Sequence, residues 1–205
     1  MAYDMQTLIG TLTATGTLHT SRIIDAFTQC DRARYIPASL RERAYDDCPL
    51  PIGYDQTISQ PSTVAFMLEL LAPQPGNRVL DIGSGSGWTT ALLAHIVGPS
   101  GTVFGLERIP ELVAFGTQNL RHTTALHAHI ERSGAELGNP HHAPFDRILV
   151  SAAARTFPHT LVSQLCENGV LVMPVRDEIW RVIRIAHQPT IEKFRGFVFV
   201  PLVTD

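Results

Sequence analysis

Residues 79–87 read Val79-Leu80-Asp81-Ile82-Gly83-Ser84-Gly85-Ser86-Gly87, an apolar run that breaks into three glycines at alternate positions. It passes straight into an apolar, helix-periodic segment from 88 to about 97. Glycine has no Cβ, so such a loop can take positive φ and let a ligand lie against its amides. The helix that follows directs its N-terminal amides and positive dipole end at the same place. Strand, glycine loop and helix in succession is the context in which such motifs bind ligands; the alternative is a tight turn that binds nothing. A dinucleotide fingerprint, G-x-G-x-x-G, would need glycine at position 88, and Trp88 stands there.

The rest of the chain supplies the frame. From Arg78 onward, short apolar runs at 78–82, 102–107, 127–130, 146–151 and 169–175 alternate with helix-periodic segments near 88–97, 110–121 and 158–166. Turns such as Gly98-Pro99-Ser100-Gly101 and Asn168-Gly169 punctuate them. That alternation predicts a parallel sheet with helices on both faces. Two later runs, 179–186 and 196–200, have no helix between them and predict an antiparallel hairpin at the sheet edge.

Residues 1–72 are helical in character and are expected to form an N-terminal region ahead of a core over 73–205, within one compact unit. Ser21 is placed to cap a helix beginning at Arg22, and 39–45 is a second short amphipathic run. Between them Arg34-Tyr35-Ile36-Pro37 is expected to be extended, as residues before proline are. A polar, aromatic segment, 51–60, precedes Pro61, which opens a helix over 62–71 with Val64, Met67, Leu68 and Leu71 on one face.

Composition removes several classes of function. A chain of 205 residues fits one domain, and a charge of −3 with pI near 6.3 gives no electrostatic case for nucleic acid or anionic membranes. No apolar run reaches the roughly 18 residues that span a bilayer. The first ten residues lack the basic and apolar regions of a signal peptide. Cys30, Cys48 and Cys166 lie far apart without a C-x-x-C, as reduced thiols in a cytoplasmic protein do.

A second acid strengthens the opening signal. Gly105-Leu106-Glu107 ends the next apolar run, so Glu107 is expected beside the glycine loop, where its carboxylate can accept both hydroxyls of a ribose. Its other reading is a solvated strand-end charge, or an acid at the start of the helix from Pro110. Asp81 likewise either meets the ligand or only orients the loop amides. G-x-G-x-G preceded by an acid is a pattern associated with S-adenosylmethionine enzymes.

Further stretches carry a resemblance. Pro49-Leu50-Pro51-Ile52-Gly53-Tyr54, Gln56-Thr57-Ile58-Ser59-Gln60-Pro61, Met67-Leu68-Glu69-Leu70-Leu71, Glu107-Arg108-Ile109-Pro110-Glu111-Leu112 and Phe145-Asp146-Arg147-Ile148-Leu149-Val150-Ser151-Ala152-Ala153-Ala154 resemble the protein-L-isoaspartate O-methyltransferase family, in matching order from about Leu18 to Leu202. The glycine loop is shared by many methyltransferases; the Gln-Thr-Ile-Ser segment with the Pro-Ile-Gly before it is far more specific. The resemblance implies a doubly wound, mostly parallel seven-stranded α/β sheet, Rossmann-like and of the class I methyltransferase type, with an N-terminal helical addition. It implies transfer of the S-adenosyl-L-methionine methyl group to the carboxylate of isoaspartyl residues in damaged proteins, whose ester collapses to succinimide and partly reopens as aspartate. Ser59 would hydrogen-bond the incoming carboxylate; Thr57, Ile58, Asp81, Gly83, Ser84, Gly85, Gly87, Glu107, Arg108, Gly134 and Ala135 would bind the cofactor, with no metal. Isoaspartyl-containing proteins and peptides would be the partners, with no nucleic acid and no membrane, and the chain would act as a monomer in the cytoplasm. Read without the resemblance, Ser59 is a cap for the helix entered at Pro61.

Two departures from the family pattern bear on this. Where the family carries Gly-Asp-Gly, with the acid on the adenine amine, this chain has Arg132-Ser133-Gly134-Ala135-Glu136-Leu137-Gly138, so Glu136, Ser133 or the backbone must serve. Where the family follows its alanines with proline, Arg155 stands, either as a bidentate anchor for a substrate carboxylate or as a solvated charge. Those changes keep two alternatives open: a carboxyl methyltransferase for one dedicated peptide, and a catalytically silent cofactor-binding or interaction module. His127 and His129 on one strand face, with His141-His142 nearby, raise a zinc site that no cysteine supports. Trp88, Phe115 and Trp180 read as packing residues.

Overall fold

The computed structural model describes residues 4–123, 127–186 and 188–203. The chain opens with helices α1 (Met5–Ala14) and α2 (Ser21–Gln29), followed by two 3-10 turns, Arg32–Arg34 and Ala38–Arg43. An antiparallel hairpin comes next, β1 (Leu50–Gly53) and β2 (Gln56–Ile58). Tyr54 and Asp55 turn it at φ 55° and 56°, the positive values a two-residue hairpin loop requires. Helix α3 (Pro61–Leu71) then leads into β3 (Arg78–Ile82), α4 (Trp88–Val97), β4 (Thr102–Glu107), α5 (Pro110–Leu120) and β5 (Ala128–Arg132). The second half adds β6 (Phe145–Val150), α6 (His159–Ser163), β7 (Leu165–Val175), β8 (Glu178–Ile183) and β9 (Thr190–Arg195).

Strands β3 to β9 form one seven-stranded sheet in the order β5-β4-β3-β6-β7-β8-β9. β5, β4, β3, β6 and β7 run parallel, and β8 and β9 close one edge antiparallel. From β3 the chain winds outward through β4 to β5, then returns to place β6 on the other side of β3. This reversal is the topological switch point, and a crevice opens there at the carboxyl ends of β3 and β6. The seven-stranded, mostly parallel α/β sheet expected from the sequence is the one observed.

Alternate strand residues feed two separate cores, so both sheet faces are covered. Val79, Val103, Leu149 and Val172 pack with α1 to α4, whereas Leu80, Ile148, Val150, Leu171 and Met173 pack with Leu161 of α6. Val64, Met67, Leu68 and Leu71 of α3 are buried together, as their spacing predicts. Helix α4 is buried nearly all round because α2 lies across it: Trp88 Nε1–H donates to Cys30 O at 2.9 Å, and the Phe27 and Trp88 rings meet edge to face at 5.5 Å. No helix among the described residues is long and apolar enough to cross a membrane.

Local readings fail where a tertiary partner intervenes. The last strand is 190–195, not 196–200. An edge strand tolerates Glu192, Lys193 and Arg195, so it carries no apolar signature, while Phe197 and Phe199 are apolar because they pack on the core. The helix expected over 158–166 ends at Ser163, and Asn168-Gly169 lies inside β7, with Asn168 at φ 61°. Ser21 does not cap α2; Thr20 occupies the cap position and Glu69 of α3 accepts from Thr20 N at 2.8 Å and Thr20 Oγ1 at 2.6 Å. Arg34 and Tyr35 are not extended, because Asp31 accepts from Ala33 N at 2.9 Å and winds a 3-10 turn there.

Close backbone packing brings α5 against the glycine loop. A Cβ on Gly116 would lie 2.8 Å from Gly85 O and 2.9 Å from the Ile130 side chain. Gly116→Ala is expected to destabilise the fold by about 1–3 kcal/mol. Urea unfolding would read this as a lower midpoint, and an unchanged midpoint would rule the contact out.

Candidate active site

The crevice at the switch point holds a cavity of about 360 Å³, within the range of small-molecule sites. Its floor is the glycine loop after β3. Gly83, Gly85 and Gly87 take φ of 80°, 50° and 83°, conformations open to glycine, and Gly83 N and Ser84 N donate to Leu106 O. Glu107, at the end of β4 and only 6% exposed, accepts from Gly85 N at 3.1 Å and from Ile109 N at 2.9 Å. These two bonds fix both oxygens and leave acceptor capacity facing the cavity. The buried Ser84 hydroxyl has no hydrogen-bond partner among the described residues, an orphaned group that a ligand can satisfy.

Of the residues singled out from sequence, Thr57, Ile58, Ser59, Gly83, Ser84, Gly85, Glu107, Arg108, Gly134 and Ala135 all line this cavity. Asp81 and Gly87 do not. Asp81 is fully buried behind the loop, where its Oδ2 accepts from Thr89 Oγ1 at 2.8 Å and Thr90 Oγ1 at 2.7 Å. It ties the end of β3 to the first turn of α4. Burial pushes its carboxyl up to about 6, against the opposing pull of the Thr90 and Thr89 hydroxyls, and Glu107 adds to the rise. Gly87 is required for packing: a Cβ there would meet Gly116 O at 2.9 Å.

The far wall is residues 132–138, the stretch without the expected aspartate; Arg132, Ser133 and Glu136 line the cavity with Gly134 and Ala135. The wall is held from behind. Ser133 N donates to Glu107 O at 2.9 Å. The buried Gln164 accepts from Asn139 N at 2.8 Å and donates to Leu137 O at 2.9 Å, pressed against Gly138 at φ 89°. Asn139 in turn donates to Glu131 at 2.7 Å. Gln164 carries no sequence signal for this role, because its partners lie 25 and 27 positions away.

A second cavity of about 280 Å³ adjoins the first, walled by Pro49, Gln60, Thr63, Val198 and Phe199. Thr57, Ser59, Ser151 and Val200 line both. Ser59 is not the cap of α3: that helix starts after Gln60, and Asp47 Oδ1 accepts from Ser62 N at 2.8 Å instead. Val200 arrives because Ala153 N donates to Val200 O at 2.8 Å, strapping the final segment beside β6. Arg155 lines neither cavity; it is exposed, and its carbonyl accepts from Arg176 Nε. His127 sits 3.0 Å from Ala94 O, away from His129 and His142, which both lie against the Phe104 ring at 6.5 and 4.5 Å, so His127 and His129 do not share the expected face. Among the described residues no three His, Cys, Asp or Glu side chains gather as a metal-ligand set. Trp88 is a core residue that also reaches the cavity wall, and Trp180 stacks on Phe157.

Comparison with known proteins decides between methyltransferase families. The profile described as Protein-L-isoaspartate(D-aspartate) O-methyltransferase matches residues 3–205. The chain belongs to this family. A protein-L-isoaspartate O-methyltransferase of Methanopyrus kandleri is 41% identical over 205 residues, covering 97% of this chain and 90% of that one. One from Anaeromyxobacter dehalogenans is 44% identical over 188 residues, covering 88% of each. The crystal structure of a Plasmodium falciparum chain assigned to the same enzyme, in complex with S-adenosyl-L-homocysteine, superposes with a TM-score of 0.88 at 27% identity, covering 98% of this chain and 99% of that one.

The buried Asp81 carboxyl gives a test of the loop. Its folded-state pKa lies above the unfolded value, so between about pH 4 and 6 the folded state holds the extra proton and stability falls as pH rises. Relative to Asp81→Asn, which cannot titrate, the wild type should lose about 2 kcal/mol across that window, out of about 3 kcal/mol between the acid and alkaline limits. Urea unfolding at a series of pH values checks this, and parallel curves for the two proteins would refute it.

Proposed function

We propose that the chain is an S-adenosyl-L-methionine-dependent carboxyl O-methyltransferase that acts on L-isoaspartyl residues of damaged proteins, the first step of their repair. The observation that carries this reading is the junction of the two cavities at Thr57, Ser59, Ser151 and Val200, where one chamber suited to a nucleoside opens onto a second lined by uncharged side chains.

The residues fit the cofactor. Gly83, Ser84 and Gly85 offer backbone and an orphaned hydroxyl to its amino-acid end, Glu107 offers a fixed carboxylate to its ribose, and Arg108, Gly134 and Ala135 border the base. Ser133 and Glu136 lie on the same wall, where they take over the part of the missing aspartate. Thr57 and Ile58 close the cavity from the hairpin. Asp81 and Gly87 act from behind, by shaping the loop and seating α4. When bound, the cofactor supplies an electrophilic methyl group.

A substrate carboxylate is ionised at neutral pH, so the chain needs no general base. Its task is to place one carboxylate oxygen in line with the methyl group and to keep water out. Alignment of this kind contributes on the order of 7–11 kcal/mol in favourable cases. Ser59 serves as the donor that orients the carboxylate, since its hydroxyl is not spent on capping α3. Isoaspartyl-containing proteins and peptides are the partners in this reading, with no role for nucleic acid or membrane. The three free thiols support a reducing, cytoplasmic setting, in which the chain acts as a monomer.

Methyl-ester formation on a peptide with an L-isoaspartyl residue, beside its aspartyl twin, tests the reading. Ester on the first and not the second is expected; equal inactivity on both, with S-adenosyl-L-homocysteine bound in calorimetry, would sink it. Ser59→Ala should lower turnover about tenfold or more while S-adenosyl-L-homocysteine affinity stays within about twofold. Glu107→Gln should do the converse, weakening cofactor binding about tenfold or more in the same calorimetry.

A further inference from the structure

A carboxylate has two oxygens, and Ser59 accounts for one donor. Ser151 follows directly on β6 at the switch point, where its amide donates to Ile82 O at 2.8 Å and so locks its backbone to the end of β3. It is half-buried, and its side chain lies against the glycine loop, since a Cβ on Gly83 would stand 3.7 Å from Ser151 Cβ. The Ser151 hydroxyl makes no hydrogen bond among the described residues, and the residue is one of the four common to both cavities. Of the other three, Val200 has no donor, Thr57 is exposed so that water competes for its hydroxyl, and Ser59 is half-buried like Ser151. Ser59 is locked too, its carbonyl accepting from Arg32 Nη2 at 3.1 Å. Two rigidly mounted, unspent hydroxyls therefore border one junction, one on the hairpin side and one on the sheet side. Among the described residues no arginine, lysine or histidine lines the second cavity.

We propose that Ser151 is the second substrate-binding hydroxyl: its Oγ–H donates to one oxygen of the substrate carboxylate while Ser59 holds the other. The assignment rests on the methyl-transfer reading above. A clamp of neutral donors suits the chemistry better than a cation. A guanidinium or ammonium would bind the ground-state carboxylate more strongly and withdraw charge from the attacking oxygen, whereas hydroxyls orient it and leave it nucleophilic.

The test is steady-state methylation of an L-isoaspartyl peptide by wild type and Ser151→Ala. Parallel measurements are S-adenosyl-L-homocysteine calorimetry, melting temperature, and inhibition by the same peptide with the side-chain carboxylate replaced by a carboxamide. Ser151→Ala should lose about tenfold in kcat/KM, the worth of one hydrogen bond to a charged group, with cofactor affinity and melting temperature unchanged. The preference for carboxylate over carboxamide peptide should narrow by a similar factor, which a merely structural wall residue would not produce. A kcat/KM within twofold of wild type, an equal weakening of both peptides, or a loss confined to cofactor affinity would each overturn the assignment. A wild type inactive on the peptide overturns the methyl-transfer reading and this one with it, whereas an active wild type with an unaffected variant overturns only the role of Ser151.

Discussion

One buried cation organises the side of the molecule where the two cavities meet. Arg32 is fully buried, yet it pairs with no carboxylate among the described residues. Its guanidinium donates to the carbonyls of Ala44 at 2.8 Å, Asp46 at 3.2 Å, Cys48 at 2.9 Å and Ser59 at 3.1 Å, and lies 5.6 Å from the Trp88 ring centroid. A desolvated charge is costly unless dipoles converge on it, and here four backbone dipoles do. Burial pushes the guanidinium down to about 10, so it is still a cation at neutral pH. Because its partners flank the hairpin on both sides, that one group fixes the chain that enters β1 and the chain that leaves β2. Thr57 and Ile58 sit on the strand between, and Ser59 follows.

The consequence spreads through the caps. The segment gripped by Arg32 contains Asp47, which holds the first turn of α3; Glu69 of α3 then holds the entry to α2, and α2 lies across α4 through Cys30 and Trp88. On the other side of the site, Asp81 ties β3 to α4 and Glu107 ties β4 to the glycine loop. The cavity between them is thus bounded by two rigid assemblies joined through α4. Binding residues gain precision when they are mounted on such elements, because little is left to order when the ligand arrives.

Much of this was legible locally. The glycine spacing, the alternation of apolar runs and the acid at the end of β4 predict the sheet and its ligand end, since strand and helix periods are properties of short segments. Capping was not legible. Ser21 and Ser59 are the residues that local rules select, and neither caps a helix: Asp47, 15 residues from Ser62, takes that amide of α3, and Glu69, 49 residues from Thr20, holds Thr20 in the cap position of α2. The charged edge strand β9 was missed for a related reason: an edge has no neighbour to demand apolar residues. The family pattern assigns Asp81 and Gly87 to the ligand, while Asp81 alone also reads as an orienter of the loop amides; neither lines the cavity, and only their placement behind the loop distinguishes them from Gly83, Ser84 and Gly85, which do.

The amino-acid sequence by itself determined the sheet, the family and most of the wall of the larger cavity, because those depend on short-range pattern and on backbone freedom at particular glycines. Tertiary structure alone decided which hydroxyls stay free. Whether Ser59 and Ser151 are spent on the protein or kept for a substrate depends on partners distant in sequence, on Asp47 taking the cap and on Ile82 taking the amide of Ser151. Hydrogen-bonding capacity is conserved group by group, so a hydroxyl becomes available for chemistry only when the folded chain has satisfied its neighbours some other way.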